Sequence, residues 1–242
     1  MPIISVFAFE ELPDVPAICK ALNGKKIQDS WFNAKPSNYN SDEAFIQFWY
    51  YEDLEDNLRK LISEDDAHEI ITFLKKDGKD KVLKRTYCFI NLFSKTLEIY
   101  RGDDAKTDEI VSCMEKFFNV KFKKLSFASE DLQKIYKNHG LELKQVMFKN
   151  VEGLIYDILK ANNLESNVRF KEYLQLFPES LRVISFRPRI RFLDGHNKYR
   201  VTLNGDKGTI RLSSNEVFKW RPRYEIRQLV YILASTVGLI KS

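Results

Sequence analysis

"KYRVTLNGDKGTIRLSS", Lys198 to Ser214, decides the fold. Tyr199, Val201 and Leu203 alternate with Arg200 and Thr202 before the "NGDKG" turn; after it, Ile210 and Leu212 alternate with Thr209 and Arg211. A period of two is the signature of an extended strand with one apolar face. Asn and Gly tolerate positive φ, so the turn is expected to close a hairpin. Upstream, "SFRPRIRF" (Ser185 to Phe192) repeats the pattern: Phe186, Pro188, Ile190 and Phe192 on one side, Arg187, Arg189 and Arg191 on the other. Downstream, "RYEIRQLVYILASTVG" spaces Ile226, Leu229, Val230 and Leu233 as a helical stripe. Laid side by side as an antiparallel meander, the three strands share one apolar face and one arginine face. The terminal helix covers the apolar one.

The rest of the chain follows the same grammar. "IISVFAF" (Ile3 to Phe9) and "AFIQFWYY" (Ala44 to Tyr51) read as strands, the second with Phe45, Phe48 and Trp49 expected in the core and a small-molecule pocket as the alternative. Pro16 suits the first turn of a short helix that Gly24 ends. "SWFNAKPSNYNSDE" is rich in turn formers and reads as a loop. Ser63 is placed to cap "SEDDAHEIITFLKK", whose acids fill the first turn and lysines the last. "RTYCFINLFSKTLEIYRG" reads as a hairpin followed by a helix carrying Ile110 and Met114. "SEDLQKIYKNHG" reads as a helix with Ser129 as its cap, "KQVMFKNV" as a strand, and "GLIYDILKANN" and "FKEYLQLFPES" as helices.

These elements predict an α+β fold, a mainly antiparallel sheet with packed helices. Two hairpin–helix units about 110 residues apart suggest two pseudo-repeated halves, 1–150 and a basic 151–242, with one continuous domain as the alternative. As an analogy of fold alone, that arrangement is similar to two-repeat saddle proteins such as the TATA-binding protein; no family motif stands in the chain.

Charge is placed unevenly. The 242 residues carry a net charge of +5. Between Arg182 and Arg227, 12 Lys and Arg face four Asp and Glu, a local excess of eight, so the remainder is acidic by three. Such asymmetry points to a polyanion or an acidic partner. Arginine's planar fork of donors matches phosphate oxygens, and rings among arginines stack on bases. The candidate nucleic-acid contacts are therefore Arg187, Arg189, Arg191, Arg200 and Arg211, flanked by Arg221, Arg223 and a stacking Trp220. Lys75, Lys76, Lys79, Lys81, Lys84 and Arg85 form a second basic cluster. DNA is favoured over RNA because no aromatic sheet motif of the kind that stacks unpaired bases is evident.

No phosphate loop, dinucleotide fingerprint, nucleophile elbow or zinc-protease motif is present. His68, His139 and His196 are isolated, and the acid-x-Lys triplets at Glu142, Asp77 and Asp104 recur as expected in so charged a chain. The reading is a non-enzymatic nucleic-acid-binding protein with no cofactor and no metal. An adaptor docking an acidic protein is the first alternative and a metal-dependent nuclease the second; self-association is compatible with each. Three scattered cysteines, Cys19, Cys88 and Cys113, with no leader or long apolar run, suggest a reducing compartment, cytoplasmic or nuclear, and no membrane.

Overall fold

The computed structural model describes residues 3–59, 61–189, 199–214 and 223–238. In chain order the elements are β1 (Ile3–Ala8), α1 (Val15–Leu22), β2 (Lys26–Ile27), β3 (Ser30–Pro36), β4 (Glu43–Asp53), α2 (Glu55–Leu58), α3 (Glu64–Lys76), β5 (Lys81–Asn91), β6 (Thr96–Ile99), α4 (Ala105–Phe118), β7 (Lys123–Lys124), α5 (Ser129–His139), β8 (Gly140–Val151), β9 (Leu154–Lys160), α6 (Val168–Leu176), β10 (Leu181–Pro188), β11 (Tyr199–Asn204), β12 (Thr209–Ser214) and α7 (Arg223–Thr236). The fold is α+β, and every strand pairing is antiparallel.

One sheet runs β2-β3-β4-β5-β6-β1-β12-β11-β10-β8-β9, with β7 on β1 beside that path. β1 stands at its middle. Its Ser5 pairs with Ile99 of β6 on one side and Thr209 of β12 on the other. Alternation along β1 sends its side chains into two different cores. Ile4 and Val6 join α5, α6 and α7, through Leu132, Ile135, Phe170, Tyr173, Ile226 and Leu229. Phe7 joins α1 and α4, through Ile18, Leu22, Ile110 and Met114. Helices α1 and α4 thus pack on one face of the sheet and α5, α6 and α7 on the other, unlike a saddle with its helices on one face. Each half leaves one sheet face uncovered by the helices that pack its core. The 150/151 boundary falls where β8 turns into β9, within hydrogen-bonded sheet.

Local chemistry sets the helix starts. Asp14 accepts from Ala17 N at 2.9 Å, with Pro16 in the first turn of α1. Ser63 Oγ accepts from Asp66 N at 3.2 Å, as its position suggested. Ser129 is not the cap of α5: that position belongs to Ala128, while Asp131 accepts from Ala128 N at 2.9 Å. In the "NGDKG" hairpin the positive φ belongs to Gly208, at 58°, and Asn204 instead accepts from Lys207 N at 2.9 Å.

Two elements differ from expectation. "SWFNAKP" is strand β3, because its alternation of Phe32 and Ala34 with Trp31 and Asn33 fits β4 despite the loop-forming composition. "LIYDILK" is strand β9, not a helix. Its apolar residues lie on an edge strand paired only with β8, and Ile155 and Tyr156 are exposed.

Candidate nucleic-acid interface

The C-terminal meander forms in the expected order, β10-β11-β12. Ile184, Phe186, Tyr199, Val201, Leu203, Ile210 and Leu212 are buried on one face beneath Ile226, Leu229, Val230 and Leu233 of α7. Burying each such side chain contributes about 1.5–3 kcal/mol. Alternation then obliges Ser185, Arg187, Arg200, Thr202, Thr209 and Arg211 to take the other face. Arg211 is exposed, and Arg187 and Arg200 are half-buried.

Register softens only part of the repulsion that an arginine face implies, since the β10–β11 register carried one step past Phe186 and Val201 sets Arg187 beside Arg200. Arg211 lies opposite Thr202, and Arg200 opposite Ser213. Arg187 lies opposite Glu142 of β8, which it approaches at 3.5 Å. Lys144 also holds that carboxylate, at 2.7 Å, and its hydrogen bond leads the effects that keep the Glu142 pKa below its ordinary value. Ser185 and Thr202 join their hydroxyls at 2.9 Å between the strands. Arg182 reaches Asp206 at 3.2 Å at the far end of the meander.

Arg189 follows β10 and is exposed. Its Nε donates to Gly140 O at 2.7 Å and its backbone N–H to His139 O at 2.7 Å. Arg191, Trp220 and Arg221 lie outside the described residues.

Arg223 requires a correction. It does not flank the basic face but sits inside the protein at the start of α7, 5% exposed. Its Nη2 donates to Glu43 Oε2 at 2.5 Å and Glu98 Oε1 at 2.9 Å. Nη1 donates to Glu98 Oε2 at 2.6 Å and Tyr100 Oη at 3.1 Å, and Nε to Glu43 at 3.1 Å. The guanidinium's N–H groups are thus committed to internal acceptors, and its carbon lies 4.1 Å from the Phe89 ring centroid. Burial alone would lower the Arg223 pKa; the charge of Glu98, followed by its hydrogen bonds, leads the effects that raise it instead. Sequence reasoning missed this cluster because its partners lie 125 and 180 positions away.

The second basic cluster is largely neutralised. Lys75 pairs with Glu55, Lys79 with Asp77, Lys81 with Asp29, and Lys84 with Glu52. Arg85, on the sheet face opposite Lys84, lies 5.4 Å from the Trp49 ring and 5.0 Å from Tyr87.

That face corrects a second expectation. Ala44, Ile46, Phe48 and Tyr50 of β4 are core, so their neighbours Phe45, Gln47, Trp49 and Tyr51 face the other way. Trp31 stacks on Trp49 with centroids 6.1 Å apart and planes 6° apart. Phe45 lies 5.7 Å from Tyr87 and 5.2 Å from Phe89. An aromatic sheet face therefore exists, contrary to the premise that favoured DNA over RNA. Alternation in "AFIQFWYY" was its visible signal.

Among the described residues no three His, Cys, Asp or Glu gather in a way that could hold a metal ion, and no helix is long and apolar enough to cross a membrane. Cys19, Cys88 and Cys113 are buried thiols, and burial raises the pKa of each. No protein-family model and no curated protein matches this chain.

Proposed function

We propose that the protein is a non-enzymatic nucleic-acid-binding protein that meets the phosphate backbone through the arginine face of β10, β11 and β12. The supporting observation is the placement of Arg187, Arg200 and Arg211 on one face, opposite the surface that α7 buries. Adjacent strands are about 4.8 Å apart, so the three arginines span about 10 Å across the sheet before their side chains extend. Ser213, opposite Arg200, adds a hydroxyl. Such contacts give affinity without base reading.

An acidic protein docking on the same arginines is the alternative reading, favoured by the pairing of Arg187 with Glu142, which shows that a carboxylate fits this face. Binding to a random-sequence duplex, titrated at several salt concentrations with and without magnesium, tests the proposal. Salt-steep binding with intact DNA supports it. Magnesium-dependent cleavage would make the protein a nuclease, and no binding at low salt would leave the acidic partner.

A further inference from the structure

The face of β3, β4 and β5 opposite α1 and α4 carries a groove of about 650 Å³. Phe45, Tyr87, Phe89 and Tyr100 give it flat apolar walls, Asn38 and Gln47 bring amides, and Ile226 of α7 helps line it. Among the described residues, the charged side chains that line it are Lys35, Arg85 and Arg223. Arg223 is already matched by Glu43 and Glu98, which are buried. Lys35 and Arg85 are exposed and make no ion pair within the described residues. The groove is therefore apolar in its walls and cationic at its rim.

From this combination we infer that the groove binds a nucleoside phosphate, its base against the aromatic walls and its phosphate at Arg85 and Lys35. A base needs a ring to stack on, and Phe45, within a lining of four aromatic rings, supplies one. Base edges need both donors and acceptors, which the Gln47 and Asn38 amides provide. Phosphate needs a donor fork. Arg85 lies 5.0 Å from the Tyr87 ring centroid, which braces its plane and leaves its edge donors for an anion. A hydrophobic acid without a flat ring would not use the walls, and a neutral aromatic would not use Lys35 and Arg85. The volume suits one nucleotide unit within the usual range of small-ligand sites. The same chemistry is offered by a free nucleotide and by an unpaired nucleotide of a strand.

This site is on the opposite face of the sheet from Arg187, Arg200 and Arg211, and it stands without them. Adenosine monophosphate, adenosine, inorganic phosphate and an eight-residue single-stranded oligonucleotide would be titrated into the full chain by calorimetry, with tryptophan emission as a second signal from Trp31 and Trp49. The nucleotide or the oligonucleotide should bind at least about tenfold more tightly than adenosine and phosphate do, as expected when stacking and anion contact act together. Binding of the mononucleotide identifies a free nucleotide as the source; binding of the oligonucleotide alone identifies a strand. Arg85→Ser should weaken that binding about tenfold or more, and Arg85→Lys, which keeps charge without the fork, should recover part of it. Tyr87→Ala should weaken it similarly. Arg187→Ser with Arg200→Ser and Arg211→Ser should leave mononucleotide binding unchanged and strip from the oligonucleotide only what the arginine face contributes, so phosphate-backbone binding and groove binding fail separately. No binding of either nucleotide form, or an unchanged affinity in a folded Arg85→Ser protein, would overturn the inference.

Discussion

Arg223 Nη1 donates to Glu98 Oε2 at 2.6 Å across 125 positions of sequence, inside the protein and beside a second carboxylate, Glu43. The guanidinium fastens the first turn of α7, which packs over the C-terminal meander, to β4 and β6 of the other half. Arg227 adds a half-buried pair with Asp42 at 2.6 Å. Removing only the cation would leave two buried carboxylates facing each other. Arg223→Met should therefore cost about 3–5 kcal/mol in urea unfolding, and pairing it with Glu43→Gln and Glu98→Gln should recover a large part of that loss.

The arginine face makes a prediction about salt. Arg187→Ser, Arg200→Ser and Arg211→Ser together should weaken duplex binding equally for unrelated sequences. The slope of log affinity against log salt should flatten by about 2–3 if each arginine meets one phosphate. An unchanged slope, measured by fluorescence anisotropy, would remove these residues from the interface.

Phe48 and Trp49 are adjacent in sequence and face opposite ways. Phe48 is 0% exposed, and its truncation to alanine should cost about 3–5 kcal/mol. Trp49 touches Trp31 and Arg85 on the face opposite α1 and α4, and Trp49→Ala should cost about 1 kcal/mol. Denaturant midpoints of the two variants check the register of β4, since a slip of one residue would exchange the two results.

Gly208 turns the hairpin beneath the arginine face with φ at 58°, and a Cβ there would stand 1.8 Å from Leu125 O. Gly208→Ala combines left-handed backbone strain with a clash against main chain, for about 2–4 kcal/mol in all. Thermal unfolding reads the loss, and weakened duplex binding in the folded fraction would show that the turn also holds the arginines in place.

His139 gives a pH signature. Burial, and then the charge of Arg189, hold its imidazole below the ordinary 6.5. The unfolded chain therefore binds the proton more readily than the folded one. Stability should rise with pH as the unfolded imidazole deprotonates: the penalty is fully present below the folded pKa and gone above the unfolded one. Unfolding midpoints across about pH 5–8 should show this rise, and His139→Asn should flatten it.

What could be read from the chain was what alternates. The strands β10 to β12 and the stripe of α7 follow from apolar and polar residues taking turns over short distances. β9 deceived because Ile155, Ile158 and Leu159 fit helical spacing, and an edge strand with little to bury lacks strict alternation. β3 was hidden by Asn33, Pro36 and Ser37, residues that a strand near the sheet's edge tolerates. Of the site, the three arginines of the meander were legible because each lies between buried neighbours. The aromatic face was half legible, since "AFIQFWYY" is apolar on both faces and period two cannot say which one is covered. The fate of Arg223 was not legible, because it depends on carboxylates brought close only by tertiary structure.

The central place of β1 bears on how such a chain is made. A ribosome delivers Ile3–Ala8 early, and β6 can take one of its edges once residue 99 has emerged. The other edge is met at Phe7 and Ala8 by β7, residues 123–124, but at Ile3 to Ser5 it must wait until β12, residues 209–214, is complete. Over that interval a nascent chain would hold a partly unpaired strand edge and two apolar side chains, Ile4 and Val6, whose core is incomplete until α7 has been synthesised. Pairings so distant in sequence close slowly and leave sticky intermediates. Recovery of soluble protein should therefore depend on elongation speed and on chaperones that shield an open strand during translation.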